Sequence, residues 1–80
     1  MSRYIATFHT HLAALTTARA LGGVGVIAKM MPVPRKLSSS CGTCVRYEAG
    51  EACLSAMDTD VERVYEVSRE DQYTLLLENK

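Results

Sequence analysis

Residues 49–57 read AGEACLSAM, with DTD following at 58–60, and the fold turns on whether this stretch is a helix. Ala52, Cys53 and Met57 fall on roughly one face at helical spacing, and Asp58 to Asp60 would close the helix with polar residues. Read this way, the segment is the second of two helices in a chain of 80 residues.

Its flanks read as strands. Thr43 to Glu48 alternates Thr43, Val45 and Tyr47 with Cys44, Arg46 and Glu48, which turns Val45 and Tyr47 to a core and Cys44 the other way, beside Arg46. Val61 to Val67 sets Val61, Arg63, Tyr65 and Val67 against Glu62, Val64 and Glu66. Nearer the N-terminus, RYIATF (3–8) is short and rich in aromatic and β-branched residues, as strands are. A helix follows it: Thr10 is the N-cap, Leu12, Leu15, Ala18 or Arg19, and Leu21 keep an approximate 3.6-residue period, and Gly22-Gly23 ends the run. VGVIAKMM (24–31) is a further strand, stopped by Pro32 and Pro34, and Val33 to Ser40 is a loop. The tail 68–80 contains three consecutive leucines that leave it open between a helical turn and an extended segment.

Strand, helix, strand, strand, helix, strand predicts an α+β, ferredoxin-like βαββαβ two-layer sandwich, a four-stranded antiparallel sheet with two helices on one face. The whole chain, 1–80, makes one domain with its core in 3–67. A right-handed crossover makes the first two strands parallel and fits the third antiparallel between them. That topology gathers His9, Thr10 and His11 at the same edge as Arg35, Ser38 to Ser40 and Cys41.

Composition narrows the function classes. Nine basic residues balance nine acidic ones, and no basic run is interleaved with aromatics, so no nucleic-acid surface is expected. Thr7, His9, Thr10 and His11 interrupt the apolar core that a secretory signal needs, and no apolar run approaches the roughly 20 residues of a membrane helix. A cytoplasmic protein without membrane partners is the expectation. Thiols stay reduced there, so the odd count of Cys41, Cys44 and Cys53 argues against a disulfide framework.

Cys41 is the residue on which chemistry centres. A thiol acts as nucleophile or carrier in its thiolate form, which a cation, a histidine or a helix N-terminus favours. The expected edge offers Arg35 as a permanent cation, His9 or His11 to hold a proton, and the free N–H groups that begin the first helix near Thr10. Ser40 and Gly42 flank the thiol, and Gly42 lets backbone N–H groups approach a bound anion.

Pro32, Val33, Pro34 and Arg35, then Leu37, Ser38, Ser39, Ser40, Cys41 and Gly42, and finally Arg46 and Tyr47 resemble a family of small bacterial selenium or sulfur carrier-like proteins. Phe8, Thr10, His11 and Ala13 resemble the opening block of the same family. The resemblance spans residues 3 to about 67, and its Pro-x-Pro-Arg to Ser-Cys-Gly block carries most of its specificity. Cys44 stands where the family pattern leads us to expect a small or apolar residue, and Thr43 where it leads us to expect an apolar one. What the resemblance implies is a carrier of reduced sulfur or selenium, held as a persulfide or selenide adduct on Cys41, with Arg35, Ser40, Gly42, Thr10 and His11 as binding residues. Such a carrier has no turnover of its own and no cofactor. It needs a donor such as a cysteine desulfurase and an acceptor enzyme.

Three other readings stay open. An uncovered sheet face would suit a non-catalytic interaction module or a homodimer with no thiol chemistry. The Cys41-x-x-Cys44 spacing would suit a thiol-disulfide protein, although a strand, not a helix, follows it. Cys41, Cys44, His9 and His11 are suitable zinc ligand types if they converge tetrahedrally.

Overall fold

The computed structural model describes residues 1–79. Strand β1 (Ser2–Phe8) leads into helix α1 (His11–Gly23), followed by β2 (Ile27–Pro32), β3 (Thr43–Ala49), a single 3-10 turn at Leu54–Ala56, β4 (Val61–Val67) and β5 (Tyr73–Glu78). One five-stranded sheet has the order β2-β3-β1-β4-β5, and every neighbouring pair is antiparallel. The expected ferredoxin-like sandwich is therefore corrected: the described residues form five strands instead of four and one α-helix instead of two.

The missing helix is the AGEACLSAM segment. Strand β3 keeps its pairing to Ala49, where Ser2 is its partner, so the stretch left to the helix is shorter than the roughly 12 residues at which an isolated helix becomes even marginal. Cys53 adopts a left-handed conformation, φ +54°, which interrupts any right-handed helix there. Side chains take the backbone groups that a helix would have paired. The Tyr47 hydroxyl donates to the Ala52 carbonyl, and the Thr17 hydroxyl of α1 accepts the Asp58 N–H at 3.0 Å. Cys53, expected in a helix core, is half-buried in this irregular crossover, and its thiol donates to the Glu51 carbonyl at 3.4 Å.

The fifth strand comes from the tail. Ser68 turns the chain: its N–H donates to the Gln72 carbonyl at 2.9 Å, its hydroxyl accepts the N–H groups of Glu70 and Gln72, and Asp71 takes a positive φ of 57°. Residues 73–78 then pair with β4.

Helix α1 forms where its sequence directs, but of the expected stripe only Leu21 is buried and Leu12 is exposed. The Thr10 hydroxyl caps it by accepting the Ala13 N–H at 3.1 Å, and its C-terminal end is closed by the Val24 N–H bonding back to Leu21 and Gly22. Ala13, Ala14, Thr17 and Leu21 are buried against one face of the sheet, where Tyr4, Ala6, Phe8, Val45, Tyr47, Ala49, Val61 and Val64 complete the core. Tyr4 and Tyr47, direct cross-strand partners, stack with ring centroids 5.2 Å apart. Among the described residues no helix lies over the other face. Ile5, Thr7 and Cys44 are still buried there by the side chains around them, whereas Ile27 and Leu75 are exposed.

Two bulges break the period of two. Between β1 and β4, Thr7 opposes Arg63 and Phe8 opposes Val61, so Glu62 is an extra residue on β4. Val61 and Val64, which strict alternation puts on opposite faces, both reach the core as a result. Between β4 and β5, Val64 opposes Leu77 and Tyr65 opposes Leu75, which leaves Leu76 as the extra residue.

Candidate functional site

The end of β1, the start of α1, the loop 33–42 and the start of β3 converge at one edge of the sheet. Strand β3 lies antiparallel between β1 and β2, which requires β2 to return parallel to β1 and sends the loop back over the end of β1. Side chains then fasten the pieces together. The Ser39 hydroxyl donates to the Phe8 carbonyl at 2.9 Å, and His11 Nδ1 lies 3.4 Å from Thr43 Oγ1. The loop is closed at its base by the Val33 N–H bonding to the Gly42 carbonyl at 3.1 Å, and Gly42 has the positive φ of 74° that glycine takes without strain.

Glu62 is the residue at this edge that sequence reasoning missed. As the bulged residue of β4 it is freed from strict alternation, and a bulge re-aims a side chain. Its carboxylate accepts the Ser40 N–H at 3.2 Å and the Ser40 hydroxyl at 2.9 Å, and its Oε2 lies 3.7 Å from His9 Nδ1. His9 Nδ1 is also 3.5 Å from Ser40 Oγ, and its backbone N–H bonds to the Asp60 carbonyl at 3.0 Å. Burial works against ionisation of Glu62. The Ser40 hydroxyl and N–H, then His9, outweigh it and hold the carboxyl below its usual range. An acidic residue inside an alternating strand gave no sequence signal of this role; the one cue was the flanking DTD-V-E segment, too polar to be an uninterrupted core strand.

Cys41 sits half-buried one residue beyond this anchor, packed against the core. Its thiol donates to the Thr43 carbonyl at 3.5 Å, and Ser39 Oγ is 3.8 Å from the sulfur. The Ser39 hydroxyl proton points to Phe8, so the oxygen it turns toward Cys41 is an acceptor. The single S–H proton goes to the Thr43 carbonyl, and Ser39 Oγ stands beside the sulfur.

The other expected site residues fall as follows. Arg35 occupies the tip of a turn closed by the Leu37 N–H bonding to the Pro34 carbonyl at 2.9 Å; it is exposed and in no ion pair among the described residues. Thr10 spends its hydroxyl on capping α1, and His11 spends Nδ1 on Thr43. Cys44 is paired across the sheet with Thr7 and Met31, fully buried, with its thiol 3.7 Å from the Pro32 carbonyl. Burial, with Cys41 adding to it and Arg46 opposing, pushes the Cys44 thiol up to about 11. Among the described residues no three His, Cys, Asp or Glu side chains form a metal-binding group. Cys44 and His11 are engaged separately from the His9–Ser40–Glu62 cluster, so the zinc set Cys41, Cys44, His9 and His11 is not gathered.

A family model described as "Putative Se/S carrier protein-like" matches residues 3–70. The chain belongs to this Se/S carrier-like family. The match takes in β1 through β4 and the entire loop that presents Cys41 in this Se/S carrier-like protein, and it stops before β5. No curated protein and no solved structure matches the chain. No helix among the described residues is long and apolar enough to cross a membrane.

Proposed function

We propose that the protein carries reduced sulfur or selenium on Cys41, as a persulfide or selenide adduct, between a donor and an acceptor enzyme in the cytoplasm. The observation that supports it is the contrast among the thiols at this edge. Cys41 is half-buried on an anchored loop, with a hydroxyl and a carbonyl as the polar groups beside its sulfur, whereas Cys44 is sealed in the sheet and held protonated. A carrier thiol must be reachable by two partners in turn and sheltered between them, and a loop cysteine meets both needs.

Loading is an exchange without net oxidation. Having lost its proton to solvent or to the donor, the Cys41 sulfur attacks the outer sulfur of a donor persulfide such as that of a cysteine desulfurase. The new S–S bond forms on Cys41, the donor's S–S bond breaks, and the donor thiolate leaves. Unloading repeats the step with an acceptor nucleophile. Arg35, exposed at the turn tip of the same loop, supplies a positive charge for an acidic partner surface.

Incubation with a cysteine desulfurase and cysteine, followed by intact-mass measurement without reductant, tests the proposal. Gain of one sulfur atom that maps to Cys41, persists in Cys53→Ser and disappears in Cys41→Ser is the expected result. Absence of added sulfur on Cys41, or its appearance on Cys53 alone, overturns it.

A further inference from the structure

On the sheet face away from α1, Lys29 of β2 and Arg46 of β3 are direct cross-strand partners. Directly opposed residues hold their Cβ atoms about 5 Å apart, and like charges in that relation are destabilising. It is the one like-charge pair in the strand registers of the described residues. The same face handles its other opposed charges differently: Arg63 faces Glu78 and bonds it at 3.0 Å, and Arg3 faces Glu48 while pairing with Asp71 at 3.8 Å. Neither Lys29 nor Arg46 has a carboxylate partner among the described residues.

The two cations do not stand on a flat surface. They line a pocket of about 350 Å³ together with Ile27, Met1 and Glu48. Ile27 is 78% exposed, an unusual state for a strand isoleucine, and it is the residue next to Lys29 on the same face of the same strand. A concave site with an apolar wall and two cations in its lining is the form of a small-molecule site for an anion with an apolar body.

We propose that this pocket binds a small organic phosphate: the dianionic head lies between Lys29 and Arg46, relieving their repulsion, and the apolar body lies on Ile27. Arginine supplies a planar fork to phosphate oxygens, and lysine a mobile point charge. Glu48, the cross-strand partner of Ile27, also lines the pocket, so its carboxylate offsets part of the positive charge and disfavours larger polyanions. The site is independent of Cys41, which packs toward the core and lies in the loop that precedes β3.

Phenyl phosphate and inorganic phosphate are the probes, added to the full chain at constant ionic strength and followed by thermal shift and by amide chemical shifts of Ile27, Lys29 and Arg46. Saturable binding is expected, tighter for phenyl phosphate, weakened about fivefold or more in Lys29→Ala and in Arg46→Ala and unchanged in the helix control Arg19→Ala. Lys29→Glu separates the idea from a general loss of folding: it puts opposite charges face to face, so it raises the melting temperature without anion and abolishes the response to phenyl phosphate. A response that Arg19→Ala weakens equally, equal affinity for the two probes, or a Lys29→Glu variant that melts lower or still binds overturns the proposal.

Discussion

Replacing Glu62 by alanine tests whether a bulge on β4 holds the cysteine loop in place. The carboxylate takes two hydrogen bonds from one residue, the Ser40 N–H at 3.2 Å and the Ser40 hydroxyl at 2.9 Å, and stands beside His9. Its side chain is 16% exposed, so both bonds are partly shielded from water. A hydrogen bond to a charged group contributes about 1.5–3 kcal/mol, and solvent competition at this edge puts the pair together near the lower bound, about 1.5 kcal/mol. For a domain of this size that loss lowers the melting temperature by roughly 6–12 °C. If the cost falls mainly on the loop, the open state becomes about tenfold more populated at the same total stability change.

Hydrogen exchange of the Ser40 amide and alkylation of Cys41, resolved by peptide mass, read this directly. Both should accelerate about tenfold in Glu62→Ala, while exchange in β1 and β3 follows only the global stability. The effect also has a pH signature. Because the folded carboxyl lies below its usual range, its contribution is fully present above about pH 4.3, where the unfolded carboxylate is ionised, and is lost as pH falls through the folded value. The stability difference between the wild type and Glu62→Gln therefore shrinks on acidification. A Ser40 amide equally protected in both proteins, with unchanged Cys41 alkylation, refutes the anchoring role of Glu62.

Native-state alkylation near pH 8 should label Cys41 and leave Cys44 unmodified until the protein unfolds, because the Cys44 thiol is buried and titrates only near 11. The same shift makes stability fall between the unfolded thiol value near pH 8.5 and about 11, by at most ~1.4 kcal/mol per pH unit, a slope that Cys44→Ala should remove in urea titrations. Tyr47→Phe deletes the hydroxyl that holds the Ala52 carbonyl and should cost about 1 kcal/mol in urea denaturation, with faster proteolysis of the 50–57 crossover as the local readout; a silent substitution contradicts the account of that crossover given above.

Strands β1 to β4 and helix α1 were legible because their signals are local. Alternation around Val45 and Tyr47, the Thr10 cap and the Gly22-Gly23 stop each act within a few residues of the feature they specify. Residues 49–57 misled for the opposite reason. Helical spacing of Ala52, Cys53 and Met57 is present, but the outcome is decided by Tyr47 and Thr17, two side chains from other elements that capture the segment's backbone groups. Strand β5 was hidden by its bulge: Leu75 and Leu77 serve different faces with Leu76 between them as the extra residue, so the leucine run carries no period. The bulge at Glu62 had the same effect on the site. It turned a residue that alternation assigns to a plain strand face toward Ser40 and His9, and a sequence period of two contains no sign of that.

The Cys41-x-x-Cys44 spacing loses its redox meaning once β3 is placed. A dithiol pair that cycles needs both sulfurs on one accessible surface, with a pKa low enough in one of them to attack. Here the strand begins at Thr43, and its pleat carries Cys44 to the face away from α1, buried beside Thr7 and Met31, while Cys41 stays in the loop and packs toward the core side. Burial favours the protonated Cys44 thiol, so that sulfur is a poor nucleophile and would form a poor resolving partner. Of the Cys41-x-x-Cys44 pair this leaves only Cys41 exchangeable, which does not suit disulfide catalysis, where two thiols are required, and suits the proposed transfer of a sulfane atom, which requires one.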